Sequence, residues 1–166
     1  MTMTASIAVV DVLSSLLDAM QGSVFRFMGE GSPYLSKANA DVRRPLAEMV
    51  YAEHRRAHEL AEAIESLGGA ITLGGANRRE DQFLAYLSLK FLLPKLVHEK
   101  NLHIERYENT LKVIPKQDGE VRGLLTRHLG EMRQELAALE GASERVIAEY
   151  KATASRTATN KASGKN

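Results

Sequence analysis

The stretch YAEHRRAHEL, residues 51–60, carries Glu53, His54 and His58. His54 and His58 stand at i and i+4, a spacing that lets two imidazoles on one helix face hold zinc. No third ligand sits at a fixed position beside them, and their face is expected to be solvated. A stronger metal set draws on three segments. Glu53, His103 and His128 would supply one carboxylate and two imidazoles, which suits Fe(II), and Glu99 would add a further carboxylate. Arg56 and Lys100 offer the opposite chemistry, because a cation beside a buried carboxylate neutralises it without metal. The chain has no Cys, which excludes disulfides and thiolate metal sites. No Ser-centred elbow, phosphate loop or dinucleotide Gly pattern appears; LGGAITLGG lacks the Lys-Ser/Thr of a phosphate loop. The six Met residues are spread out, as core filler is.

These residues need elements to position them. Four segments repeat apolar residues at steps of three and four, the period of one helix face. The first carries Val10, Leu13, Leu17, Met20, Val24 and Phe27; the second Leu46, Val50, Ala57, Leu60, Ile64 and Leu67. The third carries Leu89, Leu93, Leu96, Ile104, Tyr107, Leu111 and Ile114; the fourth Val121, Leu125, Met132, Leu136, Leu139, Val146 and Tyr150. Clusters of β-branched residues and strict alternation are scarce, so the expectation is all-α. Asp41 is expected as an N-cap, with Pro45 in the first turn, and Gly68 as a C-cap. Pro94 is expected to kink the third helix. IPKQDGE is short enough to make the third and fourth helices antiparallel neighbours. The linker from Gly68 to Arg79 could reach about 40 Å extended, about the length of a 25-residue helix. That reach predicts an antiparallel four-helix bundle with one long crossover between its second and third helices.

Projected at about 100° per residue, Glu53 falls near the centre of the second helix's apolar stripe, with Arg56 on one flank. Lys100 lands near the centre of the third stripe with His103 beside it, while His128 and Glu135 border the fourth. Glu53, Ala57, Leu60, Ile64 and Leu67-Gly68-Gly69 resemble the second helix of ferritin-like di-iron proteins, of the rubrerythrin and bacterioferritin kind. HEKNLHIERYENTL is similar in character to the third helix of rubrerythrin-like proteins. The resemblance implies a di-iron centre built from one Glu on each of two helices and Glu-x-x-His on the other two. This sequence departs from that set. Arg56 stands three residues after Glu53 where the His belongs, Gln21 stands where the first helix would offer Glu, and Gln134 follows Glu131 where a second His belongs.

The resemblance and its departures together imply a degenerate metal site. The expected protein is a non-catalytic or weakly metal-binding, self-associating ferritin-like bundle without a cofactor, with Phe25, Phe91 or Tyr86 supplying an interface. An iron-binding oxidase, ferroxidase or iron-storage protein using Glu53, Glu99, His103 and His128 is the alternative. A DNA-associated protein similar in outline to the mini-ferritins is a second one.

Bulk composition frames these readings. At 166 residues, 44% apolar and 26% charged, the chain is one ordinary globular domain by length and composition, expected over residues 1–150. Residues 151–166 hold Lys151, Arg156, Lys161, Lys165 and no acid, and are expected to be a disordered, solubilising basic tail, with loose nucleic-acid binding as the alternative. A cytoplasmic location is expected from the missing cysteines and the absence of a basic leader. No apolar run is long enough to span a membrane.

Overall fold

Ser23 decides how the first helical segment is divided. In this computed structural model, which describes residues 3–28, 41–71 and 88–163, α1 (Met3–Gln21) stops before Ser23 and α2 (Val24–Met28) resumes after it. The Ser23 N–H donates to the Met20 carbonyl (3.1 Å), and its Oγ accepts from the Phe25 N–H (3.2 Å). A serine that caps its own neighbours competes with the helix ladder, so the single first helix expected from periodicity is two. The remaining helices are α3 (Arg43–Ser66), α4 (Leu89–Val113) and α5 (Gly119–Ser163). Among the described residues the structure is all-helical, with no strand.

Local details separate expectation from outcome. Asp41 does not cap α3; the N-cap position is Val42, which makes no side-chain cap bond, and Asp41 instead pairs with Arg145 at 3.1 Å. Leu67 is the C-cap, and Gly68 follows it with φ +82°, a left-handed conformation that a Cβ would strain. Gly69 is required for a different reason: a Cβ there would meet Val10 Cγ1 at 2.6 Å and Ile64 Cγ2 at 2.7 Å. The paired glycines therefore end α3 and let α1 approach it, where Ser6 Oγ donates to the Leu67 carbonyl (3.2 Å). α4 runs on through Pro94. Its C-terminal carbonyls on Leu111 and Ile114 both accept from Arg122 Nη1 at 2.8 Å.

Cross-helix contacts set the directions. On α5, Glu135, His128 and Arg122 meet Lys100, Tyr107 and Leu111 of α4 in turn, so the two helices are antiparallel. Glu135 and Arg127 likewise meet Arg56 and Glu59 of α3. α3 and α4 therefore run parallel to each other. The C-terminus of α3 and the N-terminus of α4 lie at opposite ends of the helices, joined by a connection that falls mostly outside the described residues. α1 packs on α3 and α4, and α5 packs on α4 and α3, closing a ring.

The expected disordered tail is corrected by the structure over residues 151–163, which continue α5 as helix; residues 164–166 lie outside the described residues. Thr153, Ser155, Thr157 and Thr159 hydroxyls donate to carbonyls four residues back at 2.9–3.0 Å, keeping polar groups bonded within the helix.

The interior has two apolar clusters. One gathers Leu13, Met20, Leu60, Ile64, Tyr107, Leu125 and Met132, among others. The second gathers Phe25, Leu46, Met49, Leu93, Leu96 and Leu139 at the other end. Between them, on α3, α4 and α5, lie charged residues.

Candidate functional site

Spacing alone puts Glu53, Arg56, Lys100 and His103 on buried helix faces, and the fold brings them to one level. Each precedes an apolar residue of its stripe by four positions (Ala57, Leu60, Ile104 and Tyr107 in turn), so burying the stripe buries the charge. Glu53 is 6% exposed, His103 1%, and Arg56 and Lys100 have no exposure. Such burial is tolerable only with paired and hydrogen-bonded charge.

The pairing is extensive. Glu53 Oε1 accepts from Lys100 Nζ and from Arg56 Nη2 (3.1 Å). Glu135, reaching in from α5, accepts from Arg56 Nη1 at 3.0 Å and Nη2 at 2.8 Å, a two-pronged guanidinium–carboxylate pair. The same carboxylate accepts from Lys100 Nζ at 2.7 Å. The Lys100 ammonium also lies 4.2 Å from the centroid of Phe25, a cation–π contact in a dry setting. Two carboxylates and two cations thus close a neutral square. Toward solvent, Glu131 accepts from Arg56 Nη1 at 3.2 Å and from Arg55.

The protonation states follow. Burial opposes ionisation of Glu53, but His103, Lys100 and Arg56 outweigh it and hold the carboxyl far below the usual range. Burial likewise opposes charge on Arg56, yet Glu135 and Glu53 raise its pKa further. His103 Nδ1 lies 3.8 Å from Glu53 Oε2, and its Nε2 lies 3.5 Å from Glu99 Oε1. Burial works against its imidazolium, but these two carboxylates prevail and raise its pKa.

His128 is elsewhere. Fully buried, it places Nε2 at 2.5 Å from Glu59 Oε2 and Nδ1 at 3.1 Å from the Tyr107 hydroxyl. Burial lowers its pKa despite Glu59, with Arg127 and Arg56 adding repulsion. Neutral His128 then carries its proton on Nε2 toward Glu59, and Nδ1 accepts from Tyr107. The Tyr107 hydroxyl also lies 3.2 Å from Met20 Sδ, but a ring nitrogen is the better acceptor of its one proton. Burial and the Glu53 carboxylate raise the Tyr107 pKa. Glu59 is held down to about 2 by His128 and Arg127, against the effect of burial.

Of the sequence-derived metal set, Glu53, Glu99 and His103 are brought together, while His128 belongs to the Tyr107–Glu59 chain. Among the described residues, no group of three or more His, Asp or Glu is arranged to hold a metal. His58 is solvent-facing and pairs with Glu62 at 3.3 Å, and His54 is exposed. Of the expected interface residues, Phe25 is fully buried against Lys100, Phe91 is 57% exposed, and Tyr86 lies outside the described residues.

Helical projection alone gives one participant only in part and misses another. Glu135 borders its stripe, three residues after Met132 and four before Leu139, so its inward reach was visible; its two-cation role was not. Glu59 has no apolar periodicity to mark it, and only the nearness of α5 reveals it.

An apolar groove of about 380 Å³ lies between the start of α3 and the middle of α5, lined by Leu46, Met49, Leu139 and Ala142. None of the charged-layer residues lines it. Compared with family models, curated proteins and solved structures, the chain matches none.

Proposed function

We propose that this protein is a ferritin-like antiparallel four-helix bundle in which buried ion pairs stand in for a di-iron centre, and that it serves as a non-catalytic, self-associating structural protein. The parallel run of α3 and α4 supports the bundle reading, because that direction needs one connection as long as the helices. The observation that carries the functional reading is the square of Glu53, Arg56, Lys100 and Glu135. Metal-binding carboxylates must offer lone pairs to a cation; here Glu53 Oε1 and both Glu135 oxygens already accept from two fixed cations, Arg56 and Lys100. A guanidinium cannot be deprotonated to become a ligand, and the Glu53 and Glu99 carboxylates favour the protonated form of His103, which has no lone pair to give. The donor set therefore does not fit a pair of iron ions. Self-association rests on exposed apolar side chains, including Ile7 (55%) and Val113 (62%) at one end of the helices.

Elemental analysis of protein produced with excess iron, combined with its melting temperature with and without chelator, tests this reading. The expected result is less than about 0.1 iron per chain and an unchanged melting temperature, since a ligand that does not bind cannot stabilise. One or two irons retained per chain, released by chelator with loss of stability, would overturn it. Equilibrium sedimentation tests the self-association; a monomer at all concentrations removes that part.

A further inference from the structure

We infer that the end of the molecule where α4 begins and α5 leaves the bundle binds single-stranded nucleic acid, with exposed aromatic side chains for bases and unpaired cations around them for phosphates. Two features carry this. The first is an ordered pair of exposed aromatics. Phe91 is 57% and Tyr150 54% exposed, and Lys90 Nζ lies between them, 5.4 Å from the Phe91 centroid and 4.1 Å from that of Tyr150. Both contacts are within cation–π range, so the lysine ties two rings from different helices into one surface patch. A large exposed aromatic is costly to leave in water, and two joined by a cation present stacking faces with charge beside them.

The second feature is charge. Ser88–His98 contains Lys90 and Lys95 and no acid; Tyr150–Ser163 contains Lys151, Arg156 and Lys161 and no acid. Among the described residues none of these five cations has a carboxylate partner. Lys95 stands four residues from Phe91, on its face of α4, and Lys161 stands eleven from Tyr150, on its face of α5. Between Tyr150 and Lys161 that face carries only the small residues Thr153, Ala154, Thr157 and Ala158 over roughly 16 Å, and Lys151 and Arg156 project to either side of it. Glu149, exposed beside Tyr150, is the single carboxylate from Ile147 to Ser163.

Charge selects the occupant. Two such extensions from two copies would repel each other, and their small side chains would bury little apolar surface. A polyanion instead gains from every cation through counterion release. The exposed rings then choose among polyanions: a duplex hides its base faces, whereas unpaired bases stack on aromatic side chains regardless of sequence. Residues 151–162, which are exposed throughout, include the poor helix formers Thr153, Thr157, Thr159 and Asn160, so a bound strand would also hold the helix they form.

The test uses the full chain with fluorescein-labelled oligothymidylate, a mixed-sequence duplex and heparin, read by anisotropy across a salt series. Single strands are expected to bind tighter than duplex or heparin. Phe91→Ala and Tyr150→Ala, both at exposed positions, should each weaken single-strand binding about tenfold, the cost of one lost stacking contact. Replacing Lys151, Arg156 and Lys161 by Ala should reduce the slope of log affinity against log salt by about 2. Circular dichroism melts of each variant show whether the bundle is intact. Absence of binding at low salt overturns the inference. So does equal binding of all three polyanions with no effect of the aromatic variants, which would mean electrostatic adhesion only. A drop in oligomer mass on Phe91→Ala or Tyr150→Ala, with no effect on oligonucleotide binding, assigns the patch to self-association and overturns it too.

Discussion

His103 and His128 are both buried to within 1% exposure, yet their surroundings drive them in opposite directions. Each meets burial, which disfavours the imidazolium. His103 faces two carboxylates, Glu53 and Glu99, and its pKa rises. His128 faces one carboxylate, Glu59, with Arg127 and Arg56 nearby and a neutral phenol on its second nitrogen, and its pKa falls. Burial therefore does not determine a histidine's charge; the count and sign of its neighbours does. The same contrast separates two regions, a charge-balanced square on the His103 side and a hydrogen-bonded chain reaching toward solvent on the other.

The largest test of this contrast is the square itself. Arg56→Met should destabilise the protein by about 3–5 kcal/mol in urea unfolding, because Glu53 and Glu135 lose a shared partner inside the protein. Replacing all four members together, with Glu53→Leu, Arg56→Met, Lys100→Met and Glu135→Leu, should return most of that loss, since no buried charge remains. A neutral Arg56→Met would mean that the square is not the coupled unit described.

On the other side, Tyr107→Phe should cost roughly 1–3 kcal/mol, the penalty for a buried acceptor left without its donor. It should also raise the His128 pKa measured by NMR, because the lost hydrogen bond favours the neutral ring. The contribution of Tyr107 is smaller than that of Arg56 because a neutral bond is lost there.

pH dependence sharpens the comparison further. His103 has a raised folded pKa, so its stabilisation is fully present below about pH 6.5, the unfolded value, and is lost as pH rises through the folded value. His128 has a lowered folded pKa; its stabilisation is present above about pH 6.5 and is lost as pH falls through its folded value. The stability of His103→Gln relative to the parent should therefore improve with rising pH, and that of His128→Gln should improve with falling pH, each by at most about 1.4 kcal/mol per pH unit. Parallel pH profiles for the two variants would contradict the assignment. The smallest effect belongs to deletion of residues 151–166, which should leave the melting temperature within roughly 2 °C, since residues 151–162 are exposed throughout.

Much of the fold was legible. Leu46, Leu60 and Ile64 at helical spacing are buried, as are Leu89, Leu93 and Tyr107, because a stripe of period 3.6 has no other stable fate than a helix–helix interface. The break at Gly22–Ser23 was hidden, since Met20 and Val24 keep the apolar period across it. The charged site was legible in part. Inward projection identified Glu53, Lys100 and His103, but it grouped His128 with them, although His128 lies more than a turn away and turns toward Glu59. Projection gives an angle around a helix and says nothing about height relative to a neighbour.

By itself, the sequence determined which residues would be helical over most of the chain, which face each helix would bury, and that cations would accompany the buried Glu53. Local backbone preference and apolar periodicity act within one segment, so they can be read there. Only the tertiary structure decided that Glu135 shares both cations, that His128 bonds Tyr107 and Glu59, and that Lys90 bridges Phe91 and Tyr150. These contacts join helices far apart in the chain. Their partners depend on axial register, which is fixed by packing across the interface and not by any one helix.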